Sequence, residues 1–315
     1  MNSSFSTDAD VRGSRGGSAR VDPLKVAVRD YAHTRALKDG TVAPEGCELD
    51  FVEVEPIHRA FAPMVRELRY DVSELAVATL LQAVEAGRPV VALPVVLHGN
   101  YHHRSISAWE GTLAPADLRG RRVGVRAYSQ TTGLWVRGML SDTYGVASQD
   151  ISWVTTEGPH VASAEEPANV ERTDAKLVDL LRAGDLAAVV MGARSADHVD
   201  GLVPLIPDWK ARQEQHFQQH GWIPVNHLAV VRRDLLEERP DAVRAIYRAM
   251  TRSIDLARSP APSTVREAVV QYGVTDTLLA TLDTAIRYAR EQEVIRSAMT
   301  AESLFADFTK YVAQS

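Results

Sequence analysis

A single cysteine, Cys47, stands in 315 residues, so no disulfide can form within the chain and a cysteine-rich metal site is excluded. It lies in the alternating run Cys47-Glu48-Leu49-Asp50-Phe51 and reads as a small strand residue rather than a nucleophile. Long apolar runs are also lacking. No segment reaches the roughly 20 residues of a membrane-spanning helix. Residues 1–22 hold no apolar stretch of the roughly 7–15 residues that a secretory signal needs. Rich in Ser, Gly, Asp and Arg, they read as a disordered extension on a cytoplasmic protein. There is no excess of basic charge: the net charge of -6 argues against a nucleic-acid partner. It still leaves room for a local basic pocket that takes a small anion. Three chemistries lack their signatures. No Gly-rich phosphate loop follows a strand, no H-E-x-x-H occurs, and no G-x-S-x-G elbow is present.

What remains is an ordinary globular composition, 45% hydrophobic and 24% charged, in a chain long enough for two lobes. Leu24 to Val28 and Cys47 to Val54 alternate as strands. Pro56 opens a helix whose Ile57, Ala60, Phe61, Met64 and Leu68 share a face. Val72 to Ala78 and Val90 to Leu97 are β-rich runs around the helical stretch Leu80 to Ala86. A second unit begins near Pro115, with a strand ending at Val125, a helix over Thr131 to Tyr144, a strand at Ile151 to Val154 and a buried strand at Leu186 to Met191. Residues 157–171 read as a polar surface loop. Trp222 to Val231 forms a strand, and helices close the chain. Strands alternating with helices imply α/β architecture with mostly parallel sheets. The order suggests that the chain crosses to a second lobe near residues 105–110 and returns near 222–231. Residues 23–108 and 228–315 then form lobe one, residues 109–227 form lobe two, and a hinged cleft between them is the expected small-molecule site.

Leu118-Arg119-Gly120-Arg121-Arg122-Val123-Gly124-Val125 is similar to a signature of type II periplasmic-binding-protein lobes. A longer set of motifs resembles the 4,5-dihydroxyphthalate decarboxylase family. It opens with Asp30-Tyr31-x-x-Thr34-Arg35-Ala36-Leu37-x-Asp39-Gly40-Thr41-Val42-x-Pro44-Glu45-Gly46. It continues with Asp71-Val72-Ser73-Glu74, with Trp135-Val136-Arg137-Gly138-Met139-Leu140 before Tyr144-Gly145-Val146, and with Ile151-x-Trp153-Val154. It ends with Ala193-Arg194 and the strand around His227 that runs into Arg232-Arg233-Asp234. These matches run collinearly from about Lys25 to Arg233. The family has Arg-His-Ser where this chain has His103-Arg104-Ser105, and Pro-Pro where it has Ser195-Ala196.

The resemblance implies a type II periplasmic-binding-protein-like fold turned to enzymology, with a hydroxylated aromatic carboxylate as substrate. Direct loss of CO2 would leave an aryl carbanion, so the easier route protonates the ring carbon first. That needs Arg clamps for the anions, an acid for the ring carbon and a base for the phenol. Arg35 and Arg126 follow the first strands of the two lobes, where crevice sites form, and Arg194 follows a buried strand. Gln130, Thr131 and Thr132 open a helix whose amides suit an anion, although the threonines could equally serve as caps. His227, within an apolar strand, and His103 are the proton-transfer candidates. Glu74 is either a third acid/base or the partner of a cleft arginine. Arg104 and Asn226, beside the two histidines, complete the substrate-binding set. Trp135 is expected to pack its helix, and Arg137 to lie in solvent. No cofactor is required and no metal ligands are assigned, although a divalent ion is compatible with the chemistry and His98, His102 and His103 are close in sequence. A homo-oligomer is compatible with the sequence. The competing reading is a solute-binding protein or ligand sensor, which needs the same clamps without the acid; a third is another lyase on this fold.

Overall fold

The computed structural model of the chain describes residues 22–111, 113–259 and 264–313. The extension assigned to residues 1–22 lies outside them except for Asp22. Lobe one begins with β1 (Leu24–Ala27), α1 (Ala32–Lys38), β2 (Leu49–Phe51), α2 (Phe61–Glu67), β3 (Val72–Ala76), α3 (Val77–Glu85) and β4 (Val90–Gly99). Lobe two runs through β5 (Ile106–Trp109), β6 (Arg122–Ala127), α4 (Thr131–Tyr144), β7 (Ser152–Glu157), β8 (Val170–Arg172), α5 (Leu177–Ala183), β9 (Ala188–Val190), α6 (Ala193–Ala196), β10 (Leu202–Pro204) and α7 (Trp209–His220). The chain returns through β11 (Val225–Arg232) to α8 (Arg233–Glu238), α9 (Pro240–Ala257), α10 (Val265–Ala268) and α11 (Asp276–Glu291). Short helical turns finish it.

Two mixed sheets result, ordered β2-β1-β3-β11-β4 and β10-β5-β9-β6-β7-β8. In each, one strand opposes its neighbours: β11 runs antiparallel to β3 and β4, and β5 antiparallel to β9 and β10. These two strands adjoin the crossings between the lobes. Their pairings move the expected boundaries by a few residues. Ile106 to Trp109 belongs to the second sheet, so the outward crossing is at residues 100–105; Val225 to His227 belongs to the first, so the return is at 221–224. The stretch expected to be an irregular loop at 157–171 carries the start of β8, which pairs with β7.

Burial explains the framework. Val26, Val72, Val91, Leu93, Val95, Ala229 and Val231 face a layer that includes Val243, Ile246 and Ile254 of α9. The other face of sheet one packs Leu75, Val96, Leu228 and Val230 against α2 and α3, a core continuous with that of lobe two. β4 is an edge strand containing Pro94, yet it is almost wholly buried. Its edge is covered by the 270–273 segment, where the Val96 amide donates to Gln271 and the Gly273 amide to Pro94. Among the described residues no helix is long and apolar enough to cross a membrane.

Candidate active site

A cleft of about 210 Å³ opens where the strands of both lobes end, and its walls come from Arg29, Phe61, Ala76, Asn226 and His227 on one side and Arg126, Ser129–Thr132 and His160 on the other. Its lobe-one wall is built around Glu74. This side chain on β3 has no solvent exposure. It is nevertheless fully engaged: the Tyr31 hydroxyl donates to it over 2.7 Å, the Arg29 amide over 3.1 Å, and His227 Nδ1 lies 2.5 Å from the same carboxylate. Burial alone would raise the carboxyl pKa, but these bonds, that from His227 foremost, hold it below the usual value. Burial, joined by the adjacent Glu74 charge, pushes the Tyr31 phenol well above its ordinary range, so it remains a donor.

The turn that carries Arg29 and Tyr31 is set by Thr34. Its hydroxyl oxygen accepts from the Tyr31 amide at 2.9 Å, while its proton goes to the Arg29 carbonyl at 2.8 Å. The Asp30-Tyr31-x-x-Thr34 pattern is therefore the start of α1 and a support for Glu74. His227 itself packs edge-on against Phe61 at 5.1 Å and lies 5.2 Å from the ring of His98. With Nδ1 turned to Glu74, Nε2 has no partner among the described residues.

The lobe-two wall is the segment from Arg126 to Thr132. Arg126 ends β6 and pairs with Glu157 at the end of β7. Gln130 is the N-cap of α4 and makes no capping bond with its side chain. Thr131 does not cap its own helix either. Its hydroxyl accepts from the amide of Ala78 on α3, joining the lobes over 3.1 Å. Ser129 is buried, and its hydroxyl has no partner among the described residues. The first amides of a helix also lack intrahelical acceptors. Beneath this segment Arg137, only 1% exposed, donates to the Tyr128 carbonyl at 2.7 Å and to Gln292 at 2.6 Å. Arg137 is thus a buried brace, not the solvated residue that helix periodicity suggested.

The sequence candidates divide. His227, Arg126, Gln130, Thr131, Thr132 and Asn226 line one cleft, with Glu74 directly behind it. Arg35 does not: it is exposed on α1, because Thr34 and Leu37 take the inward face. Arg104 pairs with Asp197 and stacks over Trp209 at 5.2 Å. His103 lines a different cavity of about 310 Å³ with His216, His220 and Trp222. His102 lines that cavity too and reaches toward the cleft only through Asn226, its Nε2 3.0 Å from Asn226 Oδ1. His98, His102 and His103 therefore do not converge. Among the described residues no three His, Cys, Asp or Glu side chains are placed to hold a metal ion. The side chain of Arg194 lies outside the described residues, although its backbone begins α6. Sequence reasoning missed Arg29, His58, Ser129 and His160. Arg29 and Ser129 adjoin motifs that were read, but His160 lies in the presumed surface loop and carries no local signal.

No family model matches the chain. It is 31% identical over 179 residues to 4,5-dihydroxyphthalate decarboxylase of Pseudomonas putida, an alignment covering 53% of this chain and 69% of that protein. With the protein of the same name from Comamonas testosteroni it shares 29% identity over 252 residues, 73% of this chain and 74% of the relative. Among solved structures, the alkanesulfonate-binding protein SsuA of Xanthomonas axonopodis pv. citri, bound to MOPS, superposes with a TM-score of 0.55 and 13% identity, over 90% of this chain and 97% of that one. The desulfurization enzyme DSZB gives a TM-score of 0.55 and 16% identity over 91% and 96%. At such identities these two establish the fold alone, that of the periplasmic binding proteins.

Proposed function

The chain belongs to the 4,5-dihydroxyphthalate decarboxylase family and is a decarboxylase, and from that premise we propose that it removes one carboxylate from a hydroxylated benzene dicarboxylate such as 4,5-dihydroxyphthalate. The observation that carries this reading is the imidazole of His227, held from behind by an ionised, buried Glu74 and turned toward a cleft whose other wall offers Arg126 and the start of α4.

In this reading lobe two holds the anions. Arg126 supplies a charged fork, and the Ser129 hydroxyl and the opening amides of α4 supply donors. The Asn226 amide adds another. Its Oδ1 is engaged by His102, which turns its NH2 group to the substrate.

Lobe one holds the acid. Glu74 fixes the Nδ1 proton of His227 and supplies the counter-charge when the ring carries a second proton on Nε2. That proton passes to the ring carbon bearing the carboxylate. A hydroxyl para to this carbon feeds its lone pair into the ring, so the charge of the protonated intermediate rests largely on oxygen, as an O-protonated dienone, rather than on a bare ring cation. The carbon–carboxylate bond then breaks, its electron pair restores aromaticity, and CO2 leaves. One proton is consumed per turnover, and His227, with its side chain 16% exposed, regains it from water.

Purified protein given 4,5-dihydroxyphthalate is expected to release CO2 and 3,4-dihydroxybenzoate, followed by chromatography and CO2 capture, and His227→Gln to lose that activity with an unchanged circular dichroism spectrum. Tight binding without CO2 release would move the substrate reading to a ligand-binding role. Full activity of His227→Gln would remove this histidine from the mechanism.

A further inference from the structure

The decarboxylation just described needs a group to accept the hydroxyl proton as the ring carbon gains one, and His103 is not in the cleft to do it. A second histidine is. His160 comes from the 158–164 loop of lobe two and lines the cleft with His227. Both imidazoles stand edge-on to the ring of Phe61, at centroid distances of 5.8 and 5.1 Å, so a single phenyl ring is their common neighbour.

Although the loop is long, His160 is fixed by lobe one. Its Nδ1 is 2.8 Å from the Thr79 hydroxyl on α3. Its carbonyl accepts from Arg66 Nε at 2.6 Å, and that of Pro159 from Arg66 Nη2 at 2.8 Å. The residue is 8% exposed, and Nε2 has no partner among the described residues. In the tautomer that donates Nδ1–H to Thr79, Nε2 presents its lone pair.

We infer that His160 is the catalytic base of this site, taking the proton of the substrate's ring hydroxyl while His227 protonates the ring from the other lobe. The surroundings of the two rings differ. Glu74 backs His227, whereas the charged and titratable groups acting on His160 are Arg126, His58 and Arg66; together with its burial, the first of these causes, they hold it neutral, with a pKa of about 4. Staying neutral keeps the Nε2 lone pair available, although the same surroundings make His160 a weak base; the transfer is driven by the ring, whose gain of a proton at carbon makes the hydroxyl strongly acidic. The hydroxyl O–H bond breaks and an N–H bond forms at His160 Nε2; at the same time N–H breaks at His227 Nε2 and C–H forms at the ring. When CO2 departs, the electron pair returns through the ring to oxygen, which takes its proton back from His160. The exchange at His160 is cyclic, so only His227 draws on solvent. The two imidazoles come from different lobes, so acid and base of the site are supplied by both halves of the cleft.

This inference rests on the decarboxylase reading, and its test separates the two. Benzoate and 3,4-dihydroxybenzoate form an unreactive pair that differs only in the hydroxyls, and calorimetric titration gives their affinities. His160→Leu is expected to weaken 3,4-dihydroxybenzoate about tenfold, or about 1.4 kcal/mol, and to leave benzoate unchanged. His160→Gln, which still accepts a hydrogen bond but takes no proton, is expected to bind both ligands normally and to lose about a hundredfold in kcat with little change in KM. A merely structural histidine would weaken both ligands alike. Equal losses for the pair, or a fully active His160→Gln, would overturn the assignment. Lack of CO2 release by the unaltered protein would instead count against the decarboxylase reading, while the ligand pair would still decide whether His160 meets the hydroxyl.

Discussion

Glu74 and His227 lie on adjacent antiparallel strands, two positions apart in register, with Nδ1 2.5 Å from Oε1. His227 pairs with Ala76 and Ala229 with Glu74, so the two side chains are diagonal neighbours on one face of sheet one. The sheet itself sets the contact, and the carboxylate is locked further by Tyr31 and the Arg29 amide. Glu74→Gln preserves the shape and an acceptor oxygen but removes the charge that supports a doubly protonated ring. We expect kcat to fall by about a hundredfold or more, with the circular dichroism spectrum retained. CO2 release within twofold of the unaltered protein would show that His227 needs no carboxylate behind it.

The arginines separate by position. Arg126 lines the cleft, whereas Arg35 is exposed on α1. Loss of one charge-assisted contact costs about 1.5–3 kcal/mol, so Arg126→Ala should raise KM roughly ten- to a hundredfold. Arg35→Ala should leave both kinetic constants unchanged. A reversed pattern would mean that substrate enters from the α1 side.

Much of this was legible in the sequence, for physical reasons that differ between elements. Alternation in Leu24 to Val28 and the apolar run at Val90 to Leu97 reflect strands facing a core on one or both sides, and the pattern survives because burial enforces it. Arg126 to Thr132 could be read because a strand, a turn and a helix start follow one another there. Arg35 was misplaced since distance along the chain says nothing about which side of a seven-residue helix meets the lobe. His103 shows the same limit at a crossing, where the order of residues does not say which of two cavities a side chain meets. His160 was out of reach: its place depends on Arg66 and Thr79, both some 80 to 95 residues earlier. Tertiary contacts put it in the site.

The Trp135-Val136-Arg137-Gly138 motif has a structural reason. Trp135 Nε1 donates to the Val225 carbonyl at 3.0 Å and Arg137 braces the cleft segment. Gly138 leaves room for the ring of Tyr288, and a Cβ there would lie 2.2 Å from the nearest ring carbon. Tyr288 has little freedom to yield, because its hydroxyl donates to Asp142 at 2.7 Å. Gly138→Ala should therefore destabilise the protein by about 1–3 kcal/mol, although alanine favours a helix. Urea denaturation measures this, and an unchanged or raised midpoint would mean that α4 and α11 separate at little cost.

Three buried histidines set a pH limit on the fold. Burial holds His102, His103 and His160 at about 4, against the ordinary 6.5. Between those values the unfolded chain binds protons that the folded chain refuses, so stability is full above about pH 6.5 and declines progressively as pH falls toward 4. Carboxylates such as Glu74, whose folded value is depressed, add their loss only below about 4.5 and so occupy a lower window. The urea midpoint should thus already drop between pH 7 and pH 5. His103 lies outside the cleft, with Nδ1 unpartnered among the described residues. His103→Phe should make the pH dependence in this interval shallower and leave the catalytic pH profile in place. A midpoint that stays flat from pH 7 to pH 5 would mean that these rings are protonated as easily in the folded protein as in the unfolded chain.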